Sequence, residues 1–463
     1  MSSLCKASGK AFVYHKTTQM RLDRTYGAEY QVGMEVRDPV HGIIELNRPE
    51  VAVLDSAVYQ RLRAIKQLGF SEFSFPGATH NRYIHSLGVA HVASMVFDNV
   101  FKDFTFTSAA ARRRFRQMVR LGALLHDIGH GPLSHTTEQV MPPVKDLNIE
   151  AYKNNPHFPW DRQANHEDYT IKFVTDSSLT EILKTQFPDF TPLHIAGLID
   201  KSLVVDPDFY KDGDWDLRVV MSQIVSSELD ADRMDYLERD AYFCGTNYGR
   251  VELSWLVANL SFHRVDERLH LALGRRALYA FDDFLLSRHH MHLMVYFHHK
   301  SIIYEELLHR YLSSADCTYH LPADAEEYIK CTDYSLYEHL AHSSNEWARR
   351  ISERKPYKML FELHSNKESE RPLKIKAALE AEGIQVIHAN SQARLSKYHS
   401  GSEAEKSQRI FVVDEYDYRS KPYPLEEATE IFKRYEHTRQ IDRLYVPPEK
   451  QKISEQILID KGL

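Results

Sequence analysis

The sequence predicts a mainly α-helical protein with a smaller α/β region at its C-terminal end. Through most of the first two-thirds of the chain, apolar residues recur at the spacing of amphipathic helices. After about residue 355, β-branched or aromatic runs such as KMLFEL, IQVIHA and RIFVVDEY alternate with helical stretches such as LKIKAALEAEG. We therefore expect an N-terminal extension (1–33), a helical core (34–320), a helical connection (321–355) and a C-terminal α/β region (356–463).

The first expected helix runs from Asn47, which suits a cap, to Gly69, which suits a stop. Its apolar face comprises Val51, Leu54, Val58, Leu62 and Ile65. The same period recurs around residues 85–101, 111–127, 166–185, 216–240 and 278–314. In the C-terminal region, PLEEATEIFKRYEH predicts a further helix, and the polar residues 391–408 predict a mobile loop.

Composition narrows the class of protein. The chain has 463 residues, of which 43% are hydrophobic and 27% charged, and no apolar run reaches the roughly 18 residues of a membrane span. The N-terminal residues show no signal-peptide pattern, so we expect a soluble cytoplasmic protein without a membrane partner. The four cysteines lack CxxC spacing and are expected to be free thiols. A net charge of −7 argues against a general nucleic-acid binder.

Histidines concentrate around the segment LLHDIGHGPLSH, residues 124–135, in which a predicted helix ends at adjacent His126 and Asp127. Adjacent helical side chains point about 100° apart, so one metal can take both only if the backbone turns there. Gly129 and Gly131 are expected to allow that turn.

A lone His-Asp pair is usually an ordinary helix end, but two further segments supply additional candidate metal ligands. HNRYIHSLGVAHVA contains His85, and SSELDADRMDYLERD contains Asp232, both on predicted helices. Two imidazoles and two carboxylates form a mixed nitrogen and oxygen set suited to Zn, Mn, Fe, Co or Ni.

Five separated segments occur in order along the chain: MEVRDPVHGIIEL, YQRLRAIKQLG, FPGATHNRYIHSLGVAH, LLHDIGHGPLSH and LDADRMDYLERD. Together they resemble the HD-domain phosphohydrolases, and more narrowly the deoxynucleoside triphosphate triphosphohydrolases, over roughly residues 34–315. It implies an HD-domain helical core that releases the whole triphosphate from a deoxynucleoside triphosphate. The implied cofactor is a divalent transition metal on His85, His126, Asp127 and Asp232, and Mg²⁺ on the substrate phosphates is left open.

The resemblance also implies roles for other residues. His166 is the expected acid for the leaving 5′ oxygen, with His130 beside the α-phosphate and His135 nearby. Glu138 stands where the family has an aspartate that orients the acid. The expected phosphate contacts are Arg82, Arg233 and Arg288, and the expected contacts to sugar and nearby substrate atoms are Gln67, Leu68, Tyr236, Asp240, His292 and Tyr296. From pattern alone, such arginines form ion pairs and such tyrosines belong to a core.

Regulation is where the sequence departs from the family. Asp55, Gln60 and Arg63 match positions that recognise an activating guanine nucleotide at subunit interfaces. Met34, Met294 and His299, however, stand where basic residues are expected. A homo-oligomer, dimer or tetramer, is expected, and a nucleotide activator is left open.

Two other functions compete with this interpretation. An HD-type site can act on a nucleotide second messenger, a nucleoside monophosphate or single-stranded nucleic acid, and fold alone does not select among them. Gln67, Tyr236 and Asp240 favour a deoxynucleotide. A non-catalytic nucleotide-sensing module is disfavoured by the complete ligand set and by the acidic net charge.

Overall fold

Helices dominate the computed structural model, which describes residues 32–393, 409–417, 419–429, 431 and 439–463. The prediction of a mainly α-helical fold is confirmed. The α-helices are α1 (Arg48–Leu54), α2 (Ala57–Gln60), α3 (Arg82–Val100), α4 (Ala109–Leu125), α5 (His166–Thr175), α6 (Ser178–Gln186), α7 (Pro192–Ile199), α8 (Arg218–Val225), α9 (Ala231–Cys244), α10 (Leu253–Ala258), α11 (Leu278–Met291), α12 (His299–Leu312), α13 (Ala325–Tyr328), α14 (Asp333–His342), α15 (Glu346–Ser352), α16 (Arg371–Glu380), α17 (Leu425–Ala428) and α18 (Gln451–Lys461).

The strands form three sheets. They are β1 (Val32–Asp38), β2 (Gly42–Asn47), β3 (Lys211–Asp212), β4 (Trp215–Asp216), β5 (Leu260–Val265), β6 (Arg268–Gly274), β7 (Lys358–Ser365), β8 (Ile387–Ala393), β9 (Phe411–Val413), β10 (Tyr423–Pro424) and β11 (Arg439–Val446). β1 and β2 form an N-terminal hairpin, the middle sheet has the order β10-β9-β6-β4-β3 with β5 beside β6, and the third has the order β7-β11-β8.

The expected single helix over 47–69 is wrong, although its cap is correct. Asn47 accepts the backbone N–H of Glu50 at 2.9 Å, and the Glu50 side chain accepts the N–H of Asn47 at 3.0 Å. The helix ends at Leu54 because Ser56 caps a new helix by accepting the N–H of Tyr59. Short 3-10 turns then follow over Arg61–Ala64 and Gly69–Phe73. Most of the predicted apolar face is nevertheless buried, namely Leu54, Val58, Leu62 and Ile65. These side chains therefore pack in the core although the helix is interrupted.

Other predicted helices are also interrupted at polar or irregular segments. The helix expected over 166–185 is split where Ser177 caps α6, and the one over 216–240 is split where Asp230 caps α9. The one over 278–314 contains a π-helical turn, His292–Tyr296, between α11 and α12. π-Helical turns occur frequently at functional sites, and this one carries two of the expected substrate contacts.

The long helix α3 is at the centre of the helical core. It packs against α4 along one side and against α9 along another, and most of its side chains are buried. The three helices bring His85, the end of α4 and the beginning of α9 to one place. None of the helices among the described residues has both the length and the apolar character required to cross a bilayer.

The C-terminal α/β region contacts the core in two ways. The β7-β11-β8 sheet is antiparallel, and its buried residues pack partly against α16 and α18 and partly against α12. The run RIFVVDEY, assigned to this region from sequence, instead contributes β9 in parallel to β6 of the middle sheet. Most of the extension 1–33, most of the loop 391–408 and most of the helix predicted after Leu425 lie outside the described residues.

Candidate active site

Four side chains converge where α3, α4 and α9 meet. His85 Nε2 lies 3.1 Å from Asp232 Oδ1 and 3.6 Å from Asp127 Oδ2. His126 Nε2 lies 3.3 Å from Asp127 Oδ1 and 3.5 Å from Asp232 Oδ1. Ligands about 2.0–2.2 Å from one ion are separated from each other by roughly 3–3.5 Å. The donor atoms of His85, His126 and Asp127 all lie within 4.8 Å of one another, so these three side chains can hold one divalent metal ion. Asp232 adjoins this group through its contacts with both imidazoles.

The hydrogen bonds of the two imidazoles support the same assignment. His85 Nδ1 donates to Asp235 at 2.7 Å, and His126 Nδ1 donates to the carbonyl of Ala123 at 2.8 Å. With Nδ1 carrying the hydrogen, each Nε2 presents its lone pair to the cluster. Neither Nε2 atom, though buried, has a hydrogen-bond partner among the described residues. Such orphaned acceptors are what a metal would satisfy.

The electrostatics of the cluster reflect close opposite charges. Burial opposes a charge on His85, but contact with the carboxylates of Asp232 and Asp235 outweighs burial and raises the pKa of His85 to about 10. Burial likewise opposes a charge on Asp232, and His126 and His85 nonetheless hold its pKa below the usual range. The site thus favours positive charge between these donors.

The backbone turns after His126 as expected, but the glycines act differently from the expectation. Gly129 and Gly131 do not have positive φ; the left-handed residues are Leu133 and Ser134, at φ of 54° and 59°. A Cβ on Gly129 would meet the backbone of His166 at 2.0 Å. Gly129 is therefore needed because α5 approaches the turn closely.

Residues distant in sequence hold this turn in place. Arg61 donates to the carbonyls of Ile128 at 3.2 Å and His130 at 2.5 Å. The buried carboxylate of Asp333 accepts the N–H of Leu133 at 2.8 Å. Bonds of this kind stabilise the left-handed segment, which is costly for residues other than glycine.

A second cluster lies beside the first and contains the expected acid. Glu138 Oε1 accepts hydrogen bonds from His166 Nδ1 at 2.5 Å and from His135 Nδ1 at 2.9 Å. The ring of His130 stacks on that of His166, with 3.8 Å between centroids, and His130 Nε2 lies 3.3 Å from Asp127 Oδ1. Asp127 therefore adjoins both clusters.

Exposure and charge distinguish the members of this second cluster. The side chain of His135 is 69% exposed, whereas that of His166 is 17% exposed. Burial opposes the charge of Glu138, but hydrogen bonds from His135 and His166 outweigh burial and lower its pKa to about 2. Burial, together with Arg82 and His166, lowers the pKa of His130 well below its usual value. Glu138 is thus a fixed negative charge next to His166.

The four members of this cluster also lie close enough together to hold a cation. Glu138, however, already accepts hydrogen bonds from two imidazoles. Imidazoles that hydrogen-bond a carboxylate in this way can hold or transfer a proton.

The three expected phosphate contacts are all paired with carboxylates. Arg82 forms an ion pair with Asp127 and donates to Ser134 Oγ at 3.1 and 2.8 Å. Arg233 forms an ion pair with Asp230, the residue that caps α9, at 2.5 Å. Arg288 forms an ion pair with Glu228, which precedes α9, at 2.5 Å. The buried Nε of Arg233 has no partner within the described part of the chain. These pairs orient the guanidinium groups and leave some of their donors for an anion.

The expected sugar contacts lie further along α9 and on the π-helical turn. Asp240 accepts a hydrogen bond from Tyr296 at 2.8 Å and one from His80 at 2.7 Å. The rings of Tyr236 and Tyr296 are 6.3 Å apart, edge to face. Gln67 donates its backbone N–H to the carbonyl of His80 at 3.0 Å, so it adjoins the same group.

The remaining two expected substrate contacts are Leu68 and His292. Leu68 is partly buried against the core and precedes the 3-10 turn that begins at Gly69. Burial, reinforced by the nearby charge of Arg288, lowers the pKa of His292 to about 3. His292 is therefore a neutral imidazole near the basic residues.

The positions expected to recognise an activating nucleotide lie at the surface. Gln60 donates to the carbonyl of Leu54 at 2.8 Å and accepts from Arg63 at 2.8 Å, and Arg63 covers the ring of Tyr83. Asp55 borders a surface hollow whose other lining includes Glu181 of α6. An acidic lining does not favour a triphosphate.

Comparison with known families matches two consecutive parts of the chain. Residues 82–240 match the HD domain, and residues 251–390 match the HD associated region. The first of these parts contains His85, His126, Asp127 and Asp232, which we call the metal-type cluster. The chain carries an HD domain and an HD associated region. Asp333, which holds the turn after His126, lies in the HD associated region, so the two matched parts contribute to one site.

Relatives of this HD-domain chain include characterised and uncharacterised proteins. The uncharacterized protein YwfO of Bacillus subtilis is 32% identical over 59% of this chain and 55% of its own length. The deoxynucleoside triphosphate triphosphohydrolase SAMHD1 of Gallus gallus is 28% identical over 72% of this chain and 57% of its own length. The match thus spans a little over half the length of each of these two relatives.

Two solved structures share the fold. A hypothetical protein from Aquifex aeolicus has a TM-score of 0.70 at 24% identity and covers 92% of this chain and 99% of its own. A phosphohydrolase from Bacteroides thetaiotaomicron has a TM-score of 0.61 at 20% identity and covers 89% of this chain and 99% of its own. Similarity at these identities establishes the fold alone.

Several residues that support the HD-domain site were not identified from sequence. Asp235 bonds to His85, Ser134 bonds to Arg82, and His80 bonds to Asp240. The position of Asp235 near the metal-type cluster could have been predicted, because Asp235 follows Asp232 by three residues and so lies on the same side of α9. The partners of Ser134 and His80 depend on tertiary packing, which spacing does not indicate.

Proposed function

We propose that this chain hydrolyses deoxynucleoside triphosphates to deoxynucleoside and inorganic triphosphate. The observation that carries the proposal is the adjacency of a metal-type cluster to a histidine–carboxylate pair, with Asp127 contacting both. A divalent metal held by His85, His126, Asp127 and Asp232 would supply Lewis acidity toward a phosphate group. Water would bond to the α-phosphorus as the bond from that phosphorus to the 5′ oxygen breaks, and His166, hydrogen-bonded to Glu138, would protonate the departing 5′ oxygen.

Basic residues beside the metal-type cluster support a substrate with several phosphates. Arg82 contacts the metal-type residue Asp127, and Arg233 directly follows Asp232 on α9. Guanidinium groups bind phosphate oxygens in pairs and stay charged at any working pH. In this proposal the arginines neutralise the charge of the triphosphate, and His166 protonates the 5′ oxygen of the sugar.

The order of residues along α9 supports a deoxynucleoside at the other end. Tyr236 and Asp240 follow Asp232 by four and eight residues, so the three lie on one side of the helix about one turn apart. Asp240 and Gln67 can hydrogen-bond a 3′-hydroxyl, while the ring of Tyr236 would fill the space of a 2′-hydroxyl. The sugar would therefore be selected by polar contacts on one side and by exclusion on the other.

A product assay tests the proposed function directly. Protein loaded with Mn²⁺ is incubated separately with each deoxynucleoside triphosphate, a deoxynucleoside monophosphate, a cyclic dinucleotide and a single-stranded oligonucleotide. We expect deoxynucleoside and inorganic triphosphate in equal amounts from the triphosphates, as resolved by ion-exchange chromatography. Release of pyrophosphate or single phosphate, or turnover only of the other three substrates, would refute the proposal.

Sugar selection gives a second prediction. Tyr236→Ala should raise the rate on ribonucleoside triphosphates relative to deoxynucleoside triphosphates by about 10-fold or more, because loss of a steric exclusion of ~1.4 kcal/mol has that effect. The measurement is kcat/KM for dGTP and GTP on the same preparation. Tyr236→Phe, which retains the ring, is the matched control and should keep the wild-type preference. Equal wild-type rates on dGTP and GTP would rule out this role for Tyr236.

A further inference from the structure

A series of buried charged side chains joins the N-terminal hairpin to His85. The carboxylate of Asp235 is fully buried and uses both oxygens. Oδ2 accepts from His85 Nδ1 at 2.7 Å and from Arg239 Nε at 2.8 Å, and Oδ1 accepts from His41 Nε2 at 2.6 Å and from Arg239 Nη2 at 2.8 Å. Asp235 thus fixes which nitrogen of His85 carries the hydrogen, and it is itself held on two sides.

The other side of Arg239 is held by the hairpin. Asp38, the last residue of β1, accepts from Arg239 Nη1 at 2.7 Å and from Nη2 at 3.2 Å. Asp38 Oδ1 also accepts the backbone N–H groups of Val40 and His41, at 3.0 and 2.9 Å, which shapes the turn into β2. That turn places His41 against Asp235, so the hairpin contacts the series at two points.

A glycine in α3 provides an independent indication that this arrangement is required. Gly88 lies one helical turn after His85, and a Cβ there would stand 1.9 Å from Asp235 Oδ1 and 2.3 Å from Arg239 Nη2. Glycine inside a helix is less favourable than alanine because it loses more backbone freedom on folding. The missing side chain makes room for the Asp235–Arg239 pair directly behind His85.

We propose that Asp235, supported by Arg239 and by Asp38 of the hairpin, is a positioning residue that sets the orientation of His85 for metal binding. The proposal rests on the metal site of the proposed function but on no particular substrate. A carboxylate behind a ligating histidine fixes the ring and raises its basicity, and its loss typically lowers metal affinity about 10- to 100-fold. A purely structural buried ion pair would instead affect stability without affecting affinity.

The test measures the Kd of Mn²⁺ and the Tm of the metal-free protein for the same variants. Asp235→Asn should raise the Kd about 10- to 100-fold. Asp38→Asn and Arg239→Lys leave Asp235 in place but loosen its support, so we expect a smaller increase of a few-fold in each. Isothermal titration with Mn²⁺ alone gives the Kd, and calorimetry gives the Tm.

The matched control is the buried pair of Glu50 and Arg120, which also contacts the hairpin. Arg120 donates to Glu50 at 2.6 and 2.9 Å and to the carbonyl of Glu45 at 3.1 Å, but neither side chain contacts a candidate metal ligand. Glu50→Gln should lower the Tm and leave the Kd of Mn²⁺ unchanged.

The outcomes separate positioning from general stability. An unchanged Kd in folded Asp235→Asn overturns the proposal, as does a Kd that rises equally in Glu50→Gln. If Asp235→Asn does not fold, Asp38→Asn decides, and an unchanged Kd there overturns the proposal. Because no nucleotide is present, failure to cleave deoxynucleoside triphosphates would leave this result unaffected.

Discussion

Asp127→Ala and His126→Ala are each expected to remove bound metal and reduce turnover to background, while the helical content stays close to wild type. Each change deletes a donor from the convergent set rather than an apolar side chain of the core. Asp127 has the larger expected effect, because it lies near both imidazoles of the metal-type cluster, pairs with Arg82 and adjoins His130. Its removal also leaves the buried Arg82 without its carboxylate partner, which destabilises the site.

Metal content by mass spectrometry, far-ultraviolet circular dichroism and triphosphate release on the same preparations check this expectation. His270→Gln is a matched control, because His270 is a buried histidine on β6 that packs against Phe411 and belongs to neither cluster. It should retain both metal and turnover. Stoichiometric metal with normal activity in either the His126 or the Asp127 variant would show that the proposed centre is wrong.

The sequence was informative where a residue type and its spacing carry the chemistry. The order of His85, the adjacent His126 and Asp127, and then Asp232 predicts a mixed-donor site, and the structure brings these four side chains together from α3, the turn after α4, and α9. The helical core and the C-terminal strands β7 and β8 were likewise predictable, because each has the hydrophobic period of its element.

Features that depend on non-local contacts were not predictable. β9 pairs in parallel with β6, about 140 residues away in the chain, and no local pattern encodes that pairing. The left-handed Leu133 and Ser134 are not residue types that favour this conformation, and Asp333, 200 residues later, holds Leu133 there. A period in the sequence indicates which face is buried but does not indicate which distant group will bond to it.

The helix interruptions have the same cause. Ser56, Ser177 and Asp230 each begin a new helix by accepting a backbone N–H. In each case the apolar period continues across the break, so periodicity alone merges two helices into one. The capping residues were visible in the sequence, but a serine or aspartate within a helical pattern is common enough that only packing decides which one starts a helix.

His166→Ala is expected to retain metal and triphosphate binding but to lose about two to four orders of magnitude in turnover, the usual contribution of general acid catalysis. His166 belongs to the cluster beside the metal-type residues, where it hydrogen-bonds Glu138 and stacks on His130 rather than contacting a proposed ligand. Single-turnover rates, with metal content and nucleotide affinity measured in parallel, separate loss of the acid from loss of the site.

Glu138→Gln tests whether the carboxylate assists that acid. Hydrogen bonds from His135 and His166 outweigh burial and lower the pKa of Glu138 to about 2, so Glu138 is a fixed negative charge that accepts the hydrogen of His166 Nδ1 at 2.5 Å. Replacing it with a neutral amide removes that charge and should give a smaller loss of single-turnover rate than His166→Ala, with metal content unchanged. Wild-type turnover in Glu138→Gln would show that the carboxylate does not assist the acid. Nearly full activity in His166→Ala with metal retained would exclude His166, and the acid would then have to be His130 or His135, the other two imidazoles of the cluster.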